Sequence, residues 1–526
     1  MKRLGHLILP PDVEIRARRL ELTAWAFLLS LAYYPGWLGF LAWLALARPF
    51  MIISRLSGRA VFSSAYLFAF CFNIFSFYWV AVVSPPGMLS AVIVVAFYFA
   101  VIFVVFNKLY RLKPIYGIVA LPFLWVGQEY FRTLSQFAFP WLDLGYTQSY
   151  YLYILQIVSL ISVHGLSLLI LTVNILLWQI LRPEVDIARK VTALWVSLGL
   201  VVLLIAFGWA VIPPIQIPGK YPVAILQGSV PVNVKWAADN EDYSFRLYDS
   251  LARSIDRKVN LVVWPETALP SYLSHDGVRR AQLQRLAADM STCNLIGALG
   301  ALNLGEKWRH YNSAYFFDST GALIGRYDKV KLVPFTEQSP YQEQLPFLRK
   351  EFITKYLTFI ETYDVPFWSD FYPGDSAMLF EASGSLFGPL ICYEVTFPEY
   401  VRKLIVDGAD FIVEITNDTW FGHSVGIHMH SRIFVTRAVE NRCWGVRAAN
   451  TGLSYVVDSY GRIRDALPLD TVAVLSTKVN LLDGFSVFTR IGDVAGKGSF
   501  LITLILSAIL IIQWVLKKTG VVRTES

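Results

Sequence analysis

The chain has 526 residues, of which 55% are hydrophobic and only 16% charged, with a mean hydropathy of +0.48. That balance excludes an ordinary water-soluble protein, and the length leaves room for more than one domain. The net charge of +7 argues against a nucleic-acid surface, because most of it is explained by short connections between apolar blocks.

From about Leu22 to Pro213 the chain is a succession of apolar blocks long enough to cross a bilayer. Seven spans are predicted there, at roughly 22–35, 36–53, 61–83, 88–106, 114–131, 152–180 and 192–213, with an eighth at about Ser499–Leu516. The first two read as a tight pair around Tyr34-Pro35-Gly36. Connections on one side carry seventeen Lys and Arg, among them Lys2, Arg55, Arg111, Arg189 and Lys517, whereas those on the other carry only Arg132. Basic residues are retained in the cytoplasm, so both termini are expected inside and the stretch between the seventh and eighth spans outside. No cleavable signal peptide is read at the N-terminus, because the first apolar stretch runs at once into further spans. Glu129, Arg132 and Asp143 would be costly facing lipid; they are expected to pair or to face an aqueous site near the outer surface.

Three segments follow: a transmembrane domain over 1–219, an extracytoplasmic domain over 220–494, and a C-terminal helix with a basic tail over 495–526. Within the second, Tyr221–Leu226, Asn260–Trp264, Asn294–Leu302 and Phe411–Ile415 read as strands. Helices are predicted at about Asn240–Lys258, Asp276–Ser291, Phe397–Asp407 and Gly426–Asn441, and further strands within 444–457 and 472–479. Phe317-Asp318-Ser319-Thr320-Gly321-Ala322 signals a hairpin between Tyr311 and Tyr327. Alternating strands and helices imply an α/β sheet, whose reactive groups gather at the carboxyl ends of strands.

Two such ends carry chemistry. Cys392 closes the apolar run Phe387–Ile391 at a strand-to-helix turn, where a helix N-terminus favours a thiolate. A lone cysteine there is commonly a buried core residue; Glu266, after Trp264-Pro265, and Lys329, after the hairpin, shift the balance. A desolvated carboxylate can take a thiol proton, and an ammonium can stabilise an oxyanion. Four scattered cysteines, Cys71, Cys293, Cys392 and Cys443, make no disulfide framework, although a Cys293–Cys443 bridge stays open. His423, His428 and His430 have no metal-ligand spacing and read as polar loop residues.

Trp264-Pro265-Glu266-Thr267-Ala268, Tyr327-Asp328-Lys329 with Leu332-Val333-Pro334-Phe335, and Ile391-Cys392-Tyr393-Glu394 resemble, in that order, the Glu–Lys–Cys signature of the nitrilase superfamily. With the spans on either side, nearly the whole chain resembles the apolipoprotein N-acyltransferase family. Lys235-Trp236, Phe139-Pro140-Trp141, Asn417–Gly422, Arg437–Arg442, and Arg447 with Asn450-Thr451-Gly452 extend the likeness. The fold implied is an α-helical polytopic membrane domain of about eight spans plus an extracytoplasmic nitrilase-like αββα sandwich.

The resemblance implies a multi-pass enzyme of the bacterial inner membrane. An sn-1 acyl chain would leave a phospholipid, rest on Cys392 as a thioester, and pass to the α-amino group of a diacylglyceryl-cysteine at a lipoprotein N-terminus. Glu266 would be general base and acid, Lys329 would stabilise the oxyanion, Glu337 would orient the site, and Tyr393 and Glu394 would complete the pocket. Trp236, Trp420 and Phe421 would bind substrate. It further implies no cofactor, no metal, no nucleic-acid partner and a monomer. Thr336, Ile427 and Lys331 stand where the family usually has Gly, Pro and His; none is one of the three reactive positions. The aromatic-rich stretch 340–373 reads either as a membrane-resting or packing loop or as a lid admitting lipid to Cys392. A membrane-tethered amidase, and a transporter or receptor with a non-catalytic sensor domain, remain alternatives; retention of Glu266, Lys329 and Cys392 speaks against the second.

Overall fold

The computed structural model describes residues 11–82, 84–214, 218–236, 241–305, 307–349, 351–352 and 370–519. Six of its helical stretches are long and apolar enough to cross a membrane: Trp37–Ser54, Arg59–Val82, Pro85–Leu112, Val158–Leu181, Ile187–Val211 and Val494–Lys518. Helices suit that solvent because each satisfies its own backbone groups. Two more of the expected spans are helices of a different character. Pro11–Leu31 carries Glu14, Arg16, Arg18 and Arg19 in its first half, and Pro114–Phe131 carries Pro122, Gln128 and Glu129. The second of these is largely buried against Pro85–Leu112 and Val494–Lys518.

Several ends follow directly from local chemistry. Proline opens Pro85–Leu112 and Ser84 caps it by accepting from the Gly87 N–H. The turn before Trp37 uses Gly36 at φ 105°, a conformation that glycine adopts without strain. The block expected at 152–180 is not one helix. Leu152–Leu155 is a separate turn, and Val158–Leu181 breaks at Ser162, whose φ is 67°. The Val163 N–H freed by that break donates to Glu440, far away in sequence, at 2.8 Å.

The segment between the last two long helices forms two sheets. The first is built from β1 (Tyr221–Gln227), β2 (Leu261–Val263), β3 (Leu269–Tyr272), β4 (Cys293–Asn303), β5 (Trp308–Phe317) and β6 (Leu323–Asp328). The second holds β7 (Phe380–Ala382), β8 (Ser385–Ile391), β9 (Phe411–Thr416), β10 (Trp444–Ala449), β11 (Tyr455–Val457) and β12 (Ile463–Ala466). The last strand, β13 (Ala473–Val479), returns to the first sheet, giving the order β13-β1-β2-β4-β5-β6 with β3 beside β4. The second sheet runs β12-β11-β10-β9-β8-β7. In each, three adjacent central strands are parallel, β1-β2-β4 and β8-β9-β10.

Val223, Ile225 and Val263 on one inner face meet Phe387, Phe411 and Val413 on the other in a shared apolar core. Burying each such side chain is worth about 1.5–3 kcal/mol, which fixes strand register as well as stability. Helices Glu241–Arg253 and Gly277–Met290 cover the outer face of the first sheet through Tyr248, Leu283 and Leu286. Helices Pro398–Val406 and Val425–Asn441 cover the second, and their Val401, Leu404, Phe434 and Val435 join the apolar cluster of the spanning helices. One helical layer of this αββα sandwich therefore rests on the membrane-type helices.

Four details differ from the sequence reading. His428 and His430 lie on the helix Val425–Asn441, and His430 is fully buried among Asp418, Glu414 and Arg447, so neither is a loop residue. His423 alone of the three is exposed in a turn. All four cysteines are free, so Cys293 and Cys443 form no bridge. The helix expected from Phe397 starts at Pro398, and a 3-10 turn, Cys392–Thr396, intervenes.

Candidate active site

Each of the three reactive side chains leaves the end of an element. Glu266 follows β2 and Lys329 follows β6; Cys392 follows β8 at φ 51°. A left-handed residue directly after a strand turns the chain sharply and lifts the thiol off the sheet. All three line one cavity of about 530 Å³ and are nearly closed to solvent, Cys392 at 8%, Glu266 at 4% and Lys329 at 1% exposed.

The charged groups are tied together. Lys329 Nζ donates to Glu337 Oε1 at 2.8 Å and stands 3.6 Å from Glu266 Oε1. Asn312 Nδ2 bridges both acids, donating to Glu266 Oε1 at 2.7 Å and Glu337 Oε1 at 3.2 Å. Glu337 Oε2 is held by the Val333 N–H. These bonds occupy one Glu266 oxygen and leave Oε2 without a hydrogen-bond partner among the described residues. Burial alone would lower the Lys329 pKa, but Glu337, Glu266 and Cys392 outweigh it and hold the lysine above its ordinary value, as a fixed ammonium.

Cys392 is pushed the other way. Burial and the Glu266 charge raise its thiol well above the usual range, against Lys329 and a Thr416 hydrogen bond. The resting group is a thiol, not the helix-stabilised thiolate expected from the sequence. The 3-10 turn also stands between Cys392 and the α-helix N-terminus.

The supporting residues divide. Tyr393 lines the cavity and donates to the Ala138 carbonyl at 2.7 Å, joining the cysteine turn to the stretch before Trp141. Glu394 does not line the cavity. It accepts from Tyr327 Oη, Val330 N, Lys331 N and Ile391 N at 2.6–3.1 Å, clamping the cysteine turn to the lysine loop. Trp236, Trp420 and Phe421 all face the cavity, as do Thr336 and Phe371. Residues 353–369, within the stretch read as a loop or a lid, lie outside the described residues.

Two contributors escaped the sequence reading. Asn312 is an amide in β5, where Arg309, His310 and Ser313 are polar too, so nothing in the sequence set it apart. Lys235 is buried and donates to the Glu266 carbonyl at 3.0 Å and to Thr267 Oγ1 at 2.5 Å, fixing the turn that presents Glu266. Burial pushes its pKa down to about 7, against the Glu266 charge. Lys235 stood in a quoted motif, but only its neighbour Trp236 drew attention. The far wall comes from the spanning part: Trp79, Val80, Phe139 and Trp141.

Residues 222–483 match the family model of carbon-nitrogen hydrolases, and residues 25–176 match that of the apolipoprotein N-acyltransferase N-terminal domain. An apolipoprotein N-acyltransferase of Geobacter metallireducens is 33% identical over 92% of this chain and 94% of its own. The chain belongs to the apolipoprotein N-acyltransferase family. A relative of the same description from Azotobacter vinelandii is 33% identical over 76% of this chain and 75% of its own. A solved amidase from Nesterenkonia sp. is 19% identical, with a TM-score of 0.36, over 51% of this chain and 93% of that one. Membership accounts for both halves of the cavity, since the matched regions supply the reactive groups and the apolar wall respectively.

Proposed function

We propose that the protein transfers an acyl chain from a phospholipid to the α-amino group of the N-terminal diacylglyceryl-cysteine of lipoproteins, through a thioester on Cys392. One observation carries the reading. The buried Glu266–Lys329–Cys392 group shares its cavity with Trp79, Phe139 and Trp141 of the apolar N-terminal part, so the nucleophile meets an acyl-compatible wall. An acyl chain gains about 0.8 kcal/mol per CH₂ kept from water, which favours such a lining.

In the first half-reaction Glu266 takes the Cys392 proton as sulfur attacks the sn-1 ester carbon. Lys329 stabilises the oxyanion, the C–O bond breaks, and Glu266 returns the proton to the departing glycerol oxygen. In the second, Glu266 accepts a proton from the lipoprotein amine as nitrogen attacks the thioester carbon, the C–S bond breaks, and Glu266 returns the proton to the Cys392 sulfur. This is a ping-pong scheme with one nucleophile. Glu337 holds Lys329, and Trp236, Trp420 and Phe421 contact the acyl or peptide substrate. We take residues 220–494 as the catalytic domain, on the extracytoplasmic face of the bacterial inner membrane. It stands between a 1–219 transmembrane domain and a 495–526 anchor, with eight spans, both termini cytoplasmic and the protein a monomer.

Mass spectrometry of a diacylated lipopeptide incubated with the protein and phospholipid tests the reaction. One added N-linked acyl chain, an acyl adduct on Cys392, and loss of both in Cys392→Ala are expected. Free fatty acid with unmodified peptide would instead identify a hydrolase.

A further inference from the structure

Beside the aromatic wall, and outside the reactive group, three buried side chains converge from separate elements. Glu129 ends the helix Pro114–Phe131, Asp143 lies two residues beyond Trp141, and His164 sits just past the Ser162 break. All three are 0% exposed, and one donor atom from each lies within 4.8 Å of the others.

Their hydrogen bonding is asymmetric in the same way. Glu129 Oε1 accepts from Trp125 Nε1 and the Leu144 N–H, both at 2.9 Å, while Oε2 has no hydrogen-bond partner among the described residues. Asp143 Oδ1 accepts from Arg132 at 3.0 Å, while Oδ2 has none. His164 Nδ1 meets Asp493 Oδ2 at 2.6 Å, while Nε2 stands 3.5 Å from Asp143 Oδ2, too far for a hydrogen bond. Each residue is thus oriented through one atom and presents the other inward. An imidazole fixed by a carboxylate on its far nitrogen, beside two anchored carboxylates, is the outer-shell pattern that aims metal ligands.

Burial points the same way, because carboxylate oxygens closed off from solvent and left without a donor among the described residues are costly, and a cation between them satisfies them. Nitrogen with two carboxylates suits zinc or manganese better than magnesium or calcium, which prefer oxygen alone.

We infer that Glu129, Asp143 and His164 bind one divalent transition-metal ion, zinc or manganese. The ion joins the Phe139–Trp141 stretch to two membrane-type helices and, through Asp493, to the start of Val494–Lys518. Its role is to hold the cavity's apolar wall against the helices.

The test is elemental analysis of the full chain, purified in detergent on a peptide-affinity tag without chelators. About one equivalent of metal per chain is expected, retained in Cys392→Ala and lost in Glu129→Gln and Asp143→Asn. Chelation should lower the unfolding temperature of the wild type, and zinc or manganese should restore it. Should the variants fail to fold, cobalt(II) added to the stripped wild type with Cys392 alkylated must give ligand-field bands without thiolate charge transfer. Less than about a tenth of an equivalent after incubation with zinc or manganese would overturn the assignment. So would unchanged metal content in folded Glu129→Gln, or a cobalt sample without those bands.

Discussion

Cys392 illustrates why a nucleophile is better understood through its neighbours than through its own acidity. Buried and close to Glu266, its thiol is raised, and in the proposed mechanism thiolate forms as Glu266 takes the proton. Glu266→Gln should therefore leave phospholipid bound but slow acyl-enzyme formation by roughly 10²–10⁴-fold. Single-turnover labelling with a radioactive phospholipid checks this, and a rate within a few-fold of wild type would remove the base from Glu266. Lys235 gives a pH prediction with a definite sign. Its folded pKa of about 7 lies below the ordinary lysine value of 10.5, so between those limits the unfolded chain holds the extra proton. Stability contributed through this residue thus rises with pH across that window and is flat below it. Melting curves from pH 6 to 10 should show wild type gaining on Lys235→Met above about pH 7. A constant difference would contradict a depressed pKa.

At the scale of elements, Glu394 is the fastening between the β6 loop and the β8 turn, with its four donors supplied by both. Glu394→Ala would strand several buried N–H groups and cost about 3–5 kcal/mol, enough to move Lys329 relative to Cys392. The measurable outcome is a lower melting temperature together with slower acylation. A large loss of activity in a fully stable variant would mean that Glu394 acts on substrate directly. The difference between Glu394 and Tyr393 shows where sequence stops being informative. Strand ends carrying Glu266 and Cys392 were legible because apolar runs stop abruptly near those residues, whereas Lys329, after Arg326-Tyr327-Asp328, was singled out by its motif. Adjacent residues in one motif were read as doing one job, yet a sharp turn points them to opposite sides, Tyr393 into the cavity and Glu394 behind it. His430 was misjudged for a related reason. The helix that carries it was expected, but a single histidine gives no sign of the buried Glu414, Asp418 and Arg447 that other elements bring against it. The short strands β3, β7 and β12 were not distinguished, since three or four residues give too little alternation to register.

For the whole molecule, the consequence of stacking one helical layer on the membrane part is a cavity with two owners. The αββα sandwich holds the reactive groups, and Trp79, Phe139 and Trp141 close the space opposite them. Trp141 contacts Tyr393 and Phe421 across that boundary, with ring centroids 6.2 and 5.9 Å apart. If this wall binds the acyl chain rather than merely supporting Cys392, Trp141→Ala should separate two rates. Removing a buried indole costs about 3–5 kcal/mol of local packing, of which even half, spent on substrate binding, lowers affinity by more than tenfold. kcat/KM for phospholipid should accordingly fall at least tenfold, whereas alkylation of Cys392 by iodoacetamide, which needs no acyl wall, should stay within about twofold. Parallel loss of both rates would mean that the indole supports the Cys392 turn through Tyr393. Preservation of both would put the acyl path elsewhere in the cavity, leaving Trp236 and Trp420, which also line it, as the next residues to remove.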